Sequence, residues 1–235
     1  MKLKNLYLMF RKANRRISYR RVILDMLLSK FCAHLEGVVL DLGGKKAAKR
    51  GYFRPPNGTG TRWFYANIER ATQPDLLVDG EHLPIESGSV DAVVCTEVLE
   101  HLASPRAALS ESFRILKQGG SLYASIPFLY PVHADPSDFQ RWTAMGLNRL
   151  FNDCGFSKVI VVSMGGSLGT IGLLVELAGE FSAKHVPFRR GLVWSTWLVG
   201  RILQSVSLVF DTSAESEESA RSCPLTSGYF VVACK

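Results

Sequence analysis

Acids, amides and glycines follow directly on short apolar runs at four places in the first half of this chain. Asp41, Gly43 and Gly44 follow Val38-Val39-Leu40, and Asn67 and Glu69 follow the run from Arg62 to Ala66. Asp79 and Gly80 follow Leu76–Val78, and Thr96 and Glu97 follow Val90–Cys95. Short apolar runs bounded by turn residues read as buried strands, and in an open parallel sheet ligands sit beyond the carboxyl ends of the strands. Carboxylates fixed there accept hydrogen bonds from hydroxyls and amines, such as a ribose diol or an adenine amino group. Glycines let backbone approach the ligand closely.

A second group could move protons. His101 closes Thr96-Glu97-Val98-Leu99-Glu100-His101, and His133, Asp138 and Arg141 lie in the run from Pro131 to Thr143. Imidazole titrates near neutral pH and can take a proton from a hydroxyl. His133 and His101 are therefore candidate bases, with Asp138 placed to orient one of them. Two plainer readings stand beside these: Arg141 could hold Asp138 in a buried ion pair, and His101 could be bonded to a backbone carbonyl. Asp91, at the start of its run, reads as structural. Cys32, Cys95, Cys154, Cys223 and Cys234 are scattered without a C-x-x-C pair, which points to reduced thiols. No metal-ligand spacing stands out, so no metal is expected.

The elements that would position these residues alternate in type. A helical periodicity from Ile17 to Leu35 ends at Gly37, and strands are predicted at Val38–Leu40, Arg62–Ala66, Leu76–Val78 and Val90–Cys95. Ser104-Pro105 opens a helix that Gly119 is expected to close, and Ser121–Ile126 is a fifth strand. Thr143–Cys154 is a helix stopped by Gly155, Lys158–Val162 a sixth strand, and Gly228–Cys234 the last. Alternating strands and helices predict an α/β doubly wound sheet with helices on both faces. Two apolar helical segments, Leu168–Phe181 and Gly191–Phe210, form an insertion before the last strand.

The wording D-x-x-x-L-P (Asp79 to Pro84), S-x-D-x-V (Ser89 to Val93) and E-V-L-E-H (Glu97 to His101) resembles the class I S-adenosylmethionine (SAM)-dependent methyltransferases, in their type 11-like branch. The resemblance runs from about Gly37 to Phe156. It implies a Rossmann-like, mostly parallel sheet of seven strands with only the last antiparallel, and SAM as cofactor. It also implies that Asp41 and the Gly43-Gly44 turn bind the methionine end, that Asp79 and Gly80 bind adenine, and that Thr96 and Glu97 line the cofactor. An acid that holds the ribose is usual where Asn67 stands; Asn67 or Glu69 would serve here. The glycine motif is compressed, Gly44 following Gly43 at once. The segment around His133 resembles members linked to polysaccharide or glycolipid assembly. The expected activity is methyl transfer to a hydroxyl of a small molecule, sugar or lipid-linked sugar, the alternative being a SAM-binding or cofactor-lost interaction protein. A nicotinamide oxidoreductase is disfavoured because G-x-G-x-x-G is missing after the first strand.

At 235 residues with 47% apolar and 21% charged content, the chain suits one folded domain. Its net charge of +7 is concentrated: eight basic residues and no acid precede Asp25. This predicts four segments: a separable basic arm at 1–36, a SAM-binding core at 37–166, an apolar insertion and polar linker at 167–222, and a strand at 223–235 completing the sheet. Truncating the arm after Arg21 is expected to spare cofactor binding. The arm could lie solvated or contact anionic lipid; no recognisable aromatic-interleaved basic motif or known module in it supports nucleic-acid binding. Without an apparent leader, the expected location is cytoplasmic, peripheral to the inner face of the membrane. Gly191–Phe210 could span a bilayer by length, but Arg201 near its middle is costly there. Packing on the domain or in a homodimer is expected first, interfacial membrane contact second.

Overall fold

A computed structural model describes residues 17–46, 51–133, 137–183, 189–210 and 223–235. The chain runs α1 (Tyr19–Cys32), β1 (Gly37–Leu42), β2 (Thr61–Asn67), β3 (Leu76–Leu77), β4 (Val90–Thr96), α2 (Pro105–Ile115), β5 (Leu116–Pro127), α3 (Ala144–Asp153), β6 (Ser157–Ser163), α4 (Ser167–Ser182), α5 (Arg189–Phe210) and β7 (Gly228–Cys234). The strands form one sheet in the order β3-β2-β1-β4-β5-β7-β6. β7 runs antiparallel to both β5 and β6, and the other pairings are parallel. The architecture is the Rossmann-like α/β sandwich the sequence predicts. The order reverses between β1 and β4, where ligands of doubly wound sheets bind.

Strand alternation divides the core between the two faces. Leu40, Leu42, Val93, Cys95, Leu122 and Val231 face Leu109, Leu147 and Phe151 of α2 and α3. Val39, Val94, Phe230 and Val232 face Tyr19, Ile23, Leu27 and Cys32 of α1. The predicted arm is therefore divided. The part before Ile17 lies outside the described residues, and α1 is one of the two layers that bury the sheet.

One boundary differs from the sequence reading for an identifiable reason. Helix α2 ends at Ile115, not at Gly119, because Leu116 is fully buried and already pairs with Val90. Gly119, at φ 79°, and Gly120 instead lie at the register shift between the Val90 and Ala92 pairings. They form a kink in a strand rather than a helix cap. The freed carbonyls at the end of α2 accept from Lys235, whose Nζ lies 2.6 Å from Phe113 O and 2.7 Å from Leu116 O. Helix α5 packs along α4.

Candidate active site

The carboxyl ends of β1, β2, β3 and β4 carry the predicted ligand-binding residues, at the neighbouring strand ends the sheet order requires. Asp41, on β1, is partly exposed and accepts from Trp63 Nε1 at 3.2 Å. The turn that follows depends on both glycines. Gly43 has φ 77°, and a Cβ there would fall 2.2 Å from Val98 Cγ2. A Cβ on Gly44 would fall 2.4 Å from the Asp41 carboxyl carbon. Asp79 is exposed beyond β3, with one oxygen accepting from Glu81 N at 3.0 Å. Gly80 sits against Leu42, so the β1 and β3 turns are neighbours.

Asn67 plays a different part from the one expected. Its side chain is buried, and Nδ2 donates to Gly43 O at 3.0 Å and Gly44 O at 3.1 Å. Its Oδ1 accepts from Glu69 N at 2.9 Å. Asn67 thus braces the glycine turn from below, and an amide does what a carboxylate cannot, donating to two carbonyls at once. Glu69 is exposed, 3.5 Å from Lys45 Nζ, and is left as the carboxylate able to meet a diol. Thr96 ends β4, half-buried.

Glu97 adopts φ 56° immediately after β4, a conformation rare outside glycine, and its N–H donates to Ser125 O. That turn directs the carboxylate at Arg20 of α1, which donates to it twice, at 2.5 and 2.7 Å. Ser125 Oγ donates to Glu97 Oε1 at 2.6 Å. Arg20 also lies 5.3 Å from the Tyr130 ring centroid. The sequence reading counts Arg20 in a basic arm that is solvated or meets anionic lipid, yet its side chain is only 5% exposed. Helical spacing with buried Ile23, Leu24 and Leu27 was the signal that could have found it.

The candidate proton-handling residues lie together, although they belong to separate loops, one after β4 and one after β5. The His101 and His133 rings meet edge to face at 5.2 Å, and Tyr130 stands 5.4 Å from His133. His101 Nδ1 is bonded to Ser137 O, and His133 Nδ1 lies 3.2 Å from Pro131 O. A carbonyl can only accept, so both Nδ1 atoms donate, and in the neutral form of either ring Nε2 carries the lone pair. Asp138 is no proton acceptor. Its side chain is 1% exposed, Arg141 engages both of its oxygens, and His133 N donates to it at 2.9 Å. The Arg141 guanidinium holds the Asp138 carboxyl well below the usual range. The pair therefore shapes the loop that carries His133.

Glu100 was not predicted at all. Its side chain is fully buried, and neither carboxylate oxygen has a hydrogen-bond partner among the described residues. His101 Nε2 is 3.6 Å from Oε1. Burial, reinforced by the Glu97 charge, pushes the carboxyl up to about 8. Glu100, His101 and His133 each offer an atom within 4.8 Å of the others. Two imidazoles and a carboxylate could hold a divalent cation, where the sequence reading saw no ligand set, because His133 joins the other two only through the fold.

Residues 57–124 match the family model described as a methyltransferase domain. Over 60 residues the chain is 43% identical to a ubiquinone biosynthesis O-methyltransferase of Xanthomonas oryzae pv. oryzae. That match takes in 25% of this chain and spans a quarter of the relative's length. Among solved structures, the [4+2]-cyclase SpnF superposes with a TM-score of 0.56 at 15% identity, over 95% of this chain and 84% of that one. A SAM-dependent methyltransferase from Archaeoglobus fulgidus gives 0.52 at 14% identity, over 92% and 94%. At such identities these two likenesses speak for the fold.

Proposed function

We propose that this chain, which carries a class I SAM-dependent methyltransferase domain, transfers a methyl group from SAM to a hydroxyl of a small molecule, sugar or lipid-linked sugar. Bound SAM supplies a methyl group on a positively charged sulfur, ready for in-line displacement. The residues present fit that cofactor: a partly exposed acid at β1 for its ammonium, Glu69 for its diol and the exposed Asp79 for its adenine amine. Asn67 holds the glycine turn in the shape this needs.

The observation that carries the reaction type is the paired histidines with both Nδ1 atoms anchored on carbonyls. His133, more exposed at 36% than His101 at 16%, takes the acceptor's proton on Nε2. His101 and Glu100 stand behind it as a relay. Alignment of donor and acceptor in a water-poor cleft does most of the rest. The O-methyltransferase name of the curated relative agrees with a hydroxyl acceptor. The same reading keeps the protein in the cytoplasm, at the inner face of the membrane.

Incubation with methyl-labelled SAM and a panel of cell-envelope glycans tests this. His133→Ala should slow transfer by about 10²–10⁴-fold with SAM affinity unaltered; an unchanged rate removes His133 from the chemistry. A second reading has its own support, since the Glu100–His101–His133 trio could position a cation against the acceptor oxygen. Transfer abolished by chelation and restored by Mn²⁺ would favour it over the relay. A third, SAM binding without transfer, is favoured by the compressed glycine turn and by a fold neighbour whose name is that of a cyclase.

A further inference from the structure

Helices α4 and α5 form a hairpin whose polarity is inverted for water. The two backbones approach through small residues. A Cβ on Gly172 would lie 2.6 Å from Gly200 O, and one on Gly200 would lie 2.6 Å from Gly172 O. A Cβ on Gly179 would collide with Thr196. The polar side chains point into this seam: Gln204, fully buried, donates to Glu176 at 2.9 Å, and Arg201 stands 3.7 Å from the same carboxylate. The outer surface is apolar. Leu174 and Phe181 of α4, and Trp194, Leu198, Ile202 and Val209 of α5, are 38–55% exposed. Among the described side chains, the exposed charges on the pair are Glu180 and Arg190, both beside the connection between the helices.

Small residues in the seam, charges turned inward and large apolar groups outside are the arrangement of helices that meet lipid. Soluble helices put their apolar stripe inward and their charges out. Only 17% of the most apolar stretch between Arg190 and Val209 is buried, so the surface is not a core helix in disguise. The foot of the hairpin is fastened to the body of the domain. Tyr19 OH bonds Ser207 Oγ at 3.0 Å, a Cβ on Gly169 would fall 2.1 Å from that hydroxyl, and Leu208 packs against the α1 face of the core.

We propose that this hairpin is an interfacial anchor that seats its apolar surface in a membrane rich in anionic lipid. Charge placement selects the lipid surface over a second copy of the chain. Arg189-Arg190 opens α5, and six basic residues with no acid stand between Lys2 and Arg16. Anionic headgroups complement those cations, which a second, equally basic copy of the chain does not. Arg201 and Glu176, paired inside the seam, need no passage through hydrocarbon when the hairpin lies in the interface. This surface is independent of the reaction assigned to the cleft.

Co-sedimentation of the full chain with phosphatidylcholine vesicles, with and without phosphatidylglycerol, tests the proposal. Wild type should pellet with the anionic vesicles. The triple variant Trp194→Ser, Leu198→Ser, Ile202→Ser should pellet at least about tenfold less, because three exposed apolar side chains leave the contact. These positions face outward, and an unchanged thermal transition would show that the variant is folded. If the variant does not fold, Trp194→Ser alone should still weaken sedimentation. Wild type remaining in the supernatant with anionic vesicles overturns the proposal. So does equal sedimentation of wild type and variants, or a dimer in solution that the substitutions dissociate without any vesicle binding.

Discussion

Arg20 grips Glu97 with both terminal guanidinium nitrogens across 77 residues of sequence, tying the first helix to the end of the fourth strand. The pair links stability to function, because Glu97 also sets the turn from which Glu100 and His101 depart. Removing one member leaves the other charge partly buried. Arg20→Met should destabilise the protein toward the lower end of the roughly 3–5 kcal/mol typical of broken buried pairs, since Glu97 retains 28% exposure. Urea unfolding measures it. Truncation after Arg21 should do the same and weaken SAM binding as well, contrary to a separable arm; full stability in that truncation would show that Arg20 is dispensable.

Asn67 offers a counter-intuitive substitution. An acid is usual at this position in the resembling family, so Asn67→Asp looks like a repair. Here it would set a carboxylate against Gly43 O and Gly44 O, both 3.0–3.1 Å from the present amide nitrogen. The expected loss is about 2–4 kcal/mol at neutral pH, shrinking as pH falls toward about 4 and the new carboxyl takes a proton. Equal or higher stability, measured by thermal unfolding across pH, would mean that the turn does not depend on this amide.

Asp91 ties stability to acid pH. Lys117 donates to its carboxylate at 2.7 and 2.9 Å, and Val38 N donates at 2.8 Å. The Lys117 hydrogen bond, then the one from Val38, lowers its proton affinity below the ordinary carboxylate value. A carboxyl depressed in the folded state contributes stability above its unfolded pKa, and that contribution disappears as pH falls through the folded value. Asp91→Asn should therefore be less stable than wild type at neutral pH and converge with it in acid. Parallel stability curves from pH 7 down to about 2 would rule out this linkage.

Much of this fold was readable because strands buried on both faces advertise themselves as apolar runs. Val38–Leu40, Val90–Cys95 and Gly228–Cys234 all became strands, and Asp41 and Glu97 stand at the carboxyl ends of the first two. What sequence could not supply was long-range pairing. Helical spacing sets Arg20 on the apolar face of α1, but its partner Glu97, 77 residues away, emerges only when the helix is laid on the sheet, whereas Arg21 pairs locally with Asp25. Asn67 read as a weak acid substitute because its two carbonyl partners lie 23 and 24 residues away. Gly119 read as a helix stop because glycine serves a strand kink equally well. Asp138 offered two roles, and the fold brings both partners to it, Arg141 on its two oxygens and His133 Nδ1 at 3.4 Å.

Every role proposed for the cleft requires that the space beyond β1, β3 and β4 receives SAM. Titration calorimetry of the full chain with SAM, repeated on Asp79→Ala, measures this directly. One saturable site is expected in the wild type. The variant should bind weaker by about 1.5–3 kcal/mol, the worth of a hydrogen bond to a charged group, or roughly 10–150-fold, with its unfolding transition unmoved because Asp79 is exposed. Absence of binding at millimolar SAM would contradict the central claim, and an affinity indifferent to Asp79 would place the adenine elsewhere.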